Sequence, residues 1–126
     1  MAMDYQVTIR ETSKELSARE RIKIKDFTNA MQLDEATNDG SIVITPDCYA
    51  ILDVHNERSE KDKDYSKYLI IDKAGNKFIT GSNSFFKSLM EIWEEMTPTG
   101  EEFSIEVYKV PSKNYKGKSF LTCSIV

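Results

Sequence analysis

The sequence predicts a mainly β domain with one well-defined helix, its five strands interrupted once, between the third and the fourth, by that helix. Three observations predict it. Residues 41–80 hold three apolar strand segments separated by turn and charge signals. Phe85, Leu89, Ile92, Trp93 and Met96 then recur at helical spacing. Finally, Phe103 to Val110 and Ser119 to Val126 each alternate apolar and polar residues with period two.

The elements follow in order. Tyr5 to Arg10 alternates and reads as a short strand. Ser17-Ala-Arg-Glu20 has capping-box spacing and would open a helix, whereas Arg21 to Lys25 alternates as a strand does, and both readings stand at this point. Thr28 to Ala36 reads as a short helix capped by Thr28 or Asn29. Ile42 to Ile44 and Tyr49 to His55 form one long strand bent or broken at Pro46. Asn56 to Asp64 lacks any apolar residue and should be a surface loop. Tyr65 to Asp72 and Lys77 to Thr80 flank Lys73-Ala-Gly-Asn76, a hairpin signature. Ser82-Asn-Ser84 caps the main helix and Thr97-Pro-Thr-Gly100 ends it, because Pro98 cannot continue and Gly100 can turn.

Strand, strand, strand, helix, strand, strand is the order of a five-stranded OB-fold, a Greek-key barrel that binds oligonucleotides across strands two and three and two flanking loops. In this chain those loops are 56–64 and 110–118. With 126 residues, one domain is expected: an N-terminal extension, 1–40, packed on or beside a barrel, 41–126.

Composition narrows the function classes. Nothing reads as a signal peptide or a membrane span, so a soluble cytoplasmic protein is expected. Cys48 and Cys123 lie on core-facing phases with no Cys-x-x-Cys or Cys/His cluster, so buried free thiols are expected and neither metal nor cofactor is called for. His55 with Asp53 on the same strand face could be imagined as a dyad, but no nucleophile accompanies it, and the chain reads as non-enzymatic. Trp93 belongs to the helix stripe and the core. The net charge of −4 argues against a nucleic-acid partner until its distribution is read. Acids gather at 34–39, 57–64 and 91–102, whereas 109–118 carries Lys109, Lys113, Lys116 and Lys118 with Tyr115 and no acid.

Tyr49, Tyr68, Phe78, Tyr108 and Phe120 fall out of phase with the residues expected to build the core. Rings on the outer phase beside concentrated lysine suit base stacking and phosphate capture on a single strand. Lys67, Lys73 and Lys77 would extend the positive track. The bland alternative is a second hydrophobic layer packed under the first forty residues or against a partner subunit, and the rival function is an acidic protein-interaction module that meets a basic protein with the rings as its interface.

Val54-His-Asn-Glu57, Tyr68-Leu-Ile-Ile-Asp-Lys73, Thr80-Gly-Ser-Asn-Ser-Phe85 and above all Pro111-Ser-Lys-Asn-Tyr-Lys-Gly-Lys-Ser-Phe-Leu-Thr-Cys-Ser-Ile125 add a family resemblance. From about Ala18 onward the chain resembles small single-stranded DNA-binding proteins of phages and integrative elements of Gram-positive bacteria. The resemblance implies protection of transient single strands during replication or recombination, without catalysis. The chain stops at Ser124-Ile-Val126 with no acidic tail, so recruitment of host proteins through such a tail is not implied. Oligomeric state and DNA against RNA preference stay open.

Overall fold

Ser17 decides the ambiguous N-terminal stretch in favour of a helix. Its hydroxyl accepts from the Glu20 amide at 3.2 Å while the Glu20 carboxylate accepts from the Ser17 amide at 3.1 Å, closing a capping box. In the computed structural model, which describes residues 5–58, 63–113 and 117–126, the elements run β1 (Tyr5–Thr12), α1 (Ala18–Lys25), β2 (Met31–Gln32), α2 (Leu33–Ala36), β3 (Ile42–Ile44), β4 (Pro46–Asn56), β5 (Asp64–Asp72), β6 (Lys77–Thr80), α3 (Asn83–Met96), β7 (Ile105–Pro111) and β8 (Ser119–Ile125). The fold is mixed, mostly strands with one main helix.

Residues 28–36 differ from the single short helix expected there. Met31–Gln32 pairs in parallel with β6, and only Leu33–Ala36 is helical. The reason is burial: Leu33 is fully enclosed in the core, and the buried Thr37 hydroxyl donates to the Leu33 carbonyl at 2.8 Å, closing the turn.

Two open sheets result. The large one has the order β1-β4-β5-β6-β2 and the small one β3-β7-β8. β3 and β4 are separated by Thr45 alone, and β4 carries a bulge between Pro46 and Cys48, so one bent stretch feeds both sheets. Among the described residues no pairing joins the sheets into a closed barrel. The β5–β6 turn is held by Asp72, whose carboxylate accepts from the amides of Ala74 and Asn76 at 3.0 and 2.8 Å, with Gly75 at φ +90.

The central part of the large sheet is covered on both faces, while Gln6, Thr8, Arg10, Asp53, His55 and Ser66 at its β1–β4–β5 end line an open polar groove. One face carries Ile70 and Phe78 into a core completed by Leu33, Phe85, Leu89, Ile105, Val107 and Leu121 under α3 and the small sheet. The other carries Ala50, Leu52, Leu69 and Ile79 into a second core closed by Ile24, Leu16 and Phe27 of the N-terminal segment. Cys48 and Cys123 are both buried and free, and burial pushes the Cys123 thiol up to about 12. No helix among the described residues is long and apolar enough to cross a membrane.

Candidate nucleic-acid interface

Packing against the core and α3 engages three of the five rings. Phe78 is only 9% exposed and lies in the first core. Tyr49 is half-buried against α3, its ring meeting the rings of Phe86 and Trp93 edge-on at 5.6 and 5.1 Å between centroids, and its hydroxyl donates to Glu11. Tyr68 has one ring face covered by Phe86 at 4.3 Å and 8° between planes, and its hydroxyl donates to Asn83 Oδ1 at 2.6 Å. These rings pack the sheet against the helix. They form no open platform. Trp93 sits on the rim of the same core, as its place on the helix stripe predicts.

Tyr108 and Phe120 behave differently. The register pairs Tyr108 with Thr122 and Val110 with Phe120, so alternation sets Glu106, Tyr108, Val110, Phe120, Thr122 and Ser124 on one face of the small sheet, opposite the buried Ile105, Val107, Leu121 and Cys123. Phe120 is 43% exposed. It lines an open groove of about 450 Å³ with Val110, Pro111, Ser112, Lys113 and Ser84. The Tyr108 hydroxyl hydrogen-bonds Ser124 Oγ at 2.5 Å, which fixes the ring along the strand direction. Val110 and Pro111 were missed from the sequence as groove residues; the available signal was Val110, an apolar residue on the otherwise polar phase of β7.

The lysines divide in the same way. Lys77 donates to the carbonyls of Lys23 and Asp26 at 2.5 and 3.1 Å and so caps the C-terminus of α1. Lys73 pairs with Asp47 at 3.5 Å. Lys109 donates to the Asp34 carbonyl at 2.6 Å and to Asn38 Oδ1. Lys67 lies 5.8 Å from the Tyr65 ring centroid, a cation–π contact. Lys113 and Lys118 are exposed beside the groove or at the end of its hairpin. Tyr115 and Lys116 lie outside the described residues.

His55 forms no dyad with Asp53. Asp53 pairs with Arg10, and His55 hydrogen-bonds Asp64 through Nδ1 and Glu57 through Nε2, both at 2.6 Å. Two carboxylate acceptors require an N–H on each ring nitrogen, so this geometry holds the charged imidazolium. The contacts with Asp64 and then Glu57 raise the His55 pKa above its ordinary 6.5. A folded pKa above the unfolded one contributes stability that is complete below about 6.5 and disappears as pH rises through the folded value. The expected NMR titration of the His55 ring therefore gives a midpoint above 6.5; a midpoint at or below it contradicts the bridge. Among the described residues no cluster of three or more His, Cys, Asp or Glu side chains could hold a metal ion.

No family model, curated protein or solved structure matches the chain.

Proposed function

We propose that this protein binds single-stranded DNA without catalysis, on the outward face of the small sheet and not across the large one. The carrying observation is Phe120, an aromatic ring left 43% exposed in an apolar groove with Lys113 on its wall and Tyr108 on the same sheet face. Bases stack on exposed rings irrespective of sequence, and lysines beside them take the phosphates. The stretch 109–118 supplies positive charge without an acid, so the polyanion meets this side although the whole chain is acidic.

An OB-fold reading is part of the proposal. It is supported by the bent stretch 42–56, shared between the two sheets through β3 with β7 and β4 with β5, and by a single helix between the third and fourth strands of that series. The resemblance of Pro111 to Ile125 to phage and mobile-element single-strand binders supports the same reading, in which the role is to protect strands exposed during replication or recombination. In that reading the N-terminal segment covers the back of the large sheet.

The test is a titration with fluorescent oligo-dT and with a duplex of equal length at two salt concentrations. Preference for the single strand is expected, with log affinity falling against log salt by roughly 0.7 per phosphate contacted. Binding to neither would leave an acidic protein-interaction module as the better reading.

A further inference from the structure

β3 begins at Ile42, opposite Val107, and its antiparallel pairing with β7 covers only Ile105 to Val107, so beyond Val107 a hollow is left between the 37–41 turn and the end of β7. It measures about 470 Å³, within the roughly 300–1,000 Å³ of small-molecule sites, and Asn38, Ser41, Tyr108, Lys109 and Ser119 line it together with Thr37 and Gly40. Three features distinguish it from an ordinary surface dent. Lys109 is held at its wall by two neutral oxygens, the Asp34 carbonyl and Asn38 Oδ1, and makes no ion pair among the described residues, so its ammonium keeps a third N–H for a further acceptor. Because an ammonium only donates, Asn38 must present Oδ1 to it, which leaves both N–H groups of Nδ2 unused by any partner among the described residues. Ser41 donates to Glu106 Oε2 at 2.7 Å, which leaves oxygen lone pairs on both side chains at the opposite rim.

We infer that this hollow is a slot for one nucleotide of the bound strand, with the base against Tyr108, a phosphate oxygen on Lys109, and a base edge that carries a carbonyl beside an N–H. The Asn38 amide donates to the carbonyl and the Ser41–Glu106 pair accepts from the N–H. Thymine and guanine have that edge. Cytosine offers an amino group where thymine has its O4 carbonyl, and so sets donor against donor at Asn38. The inference rests on the single-strand reading above and adds to it: stacking at Phe120 accepts any base, while this slot discriminates.

Oligo-dT and oligo-dC of equal length test it, since both are pyrimidine strands and differ at the base edge. In mildly alkaline buffer the wild-type chain is expected to bind oligo-dT about five- to tenfold more tightly. Asn38→Ala is expected to lower that ratio, weakening oligo-dT more than oligo-dC. Tyr108→Leu, which keeps an apolar side chain on the sheet, is expected to weaken both strands by a common factor. Equal wild-type affinities, a ratio left unchanged by Asn38→Ala, or unchanged affinities in Tyr108→Leu would each overturn the slot while leaving single-strand binding in place. No binding of either strand by the wild type would overturn both.

Discussion

Phe120→Ala is expected to lower oligo-dT affinity by roughly 5- to 150-fold, the equivalent of about 1–3 kcal/mol for one stacked base, while leaving the thermal midpoint close to wild type. The two halves of that expectation have one cause. A ring 43% exposed at the end of an edge hairpin contributes little to the buried cores, and neither core includes it. Removing an exposed side chain away from such features changes stability by within about 0.5 kcal/mol. What the substitution removes is the flat surface between Val110 and Lys113. Fluorescence anisotropy with labelled oligo-dT and a thermal melt measure both halves. Unchanged affinity in a folded variant would take the groove out of the binding site.

Phe78→Ala is expected to do the reverse. Its ring is packed with Leu33, Ile70, Phe85 and Leu89, and truncating a buried Phe leaves a cavity as well as losing transfer energy, a cost of about 3–5 kcal/mol. Typical domain stabilities of about 5–15 kcal/mol make this a large fraction of the total. Urea denaturation measures it, with the midpoint falling and the slope unchanged. Phe78→Leu retains enough volume to keep the fold, and its oligo-dT affinity should equal that of the wild type. A Phe78→Ala variant as stable as the wild type but weak in binding would return this ring to the stacking set.

The contrast between these two phenylalanines marks where the sequence was legible. Both occupy strands, and period two reports which residues share a face without reporting whether that face meets solvent. For β7 and β8 the rule was sufficient, because Ser104, Glu106, Thr122 and Ser124 punctuate one phase and Ile105, Val107, Leu121 and Cys123 fill the other. For β4 to β6 it misled. Tyr49-Ala-Ile-Leu52 and Leu69-Ile-Ile71 are apolar on both phases, the signature of a strand covered twice, and Ile51 and Ile70 on the ring-bearing phase already pointed to it. The second cover is the N-terminal segment, with Ile24 sealing Ala50, Leu52, Leu69 and Ile79.

Other features were local and therefore readable. The hairpin at Lys73–Asn76, the helix begun by Ser82 and ended at Gly100, and the break at Pro46 all depend on neighbours in sequence, whereas the Ser17–Glu20 box competed with the alternation of Arg21 to Lys25 and left helix and strand both open. The lysines were not readable individually. Lys77 and Lys109 donate to carbonyls 54 and 75 residues away in sequence, Lys23 and Asp34, and nothing in their own surroundings distinguishes them from Lys113 and Lys118. A lysine's role as cap or as phosphate contact is set by what the fold brings to it, which a linear charge count does not contain.

The account's central claim is a location, the outward face of the small sheet, and the same oligo-dT titration followed through the amide resonances of isotope-labelled protein tests it most directly. Shifts concentrated at 37–41, 108–113 and 117–122 are the predicted result. Shifts confined to 64–80 on the large sheet, or absent from 108–122 at saturating oligonucleotide, would contradict it.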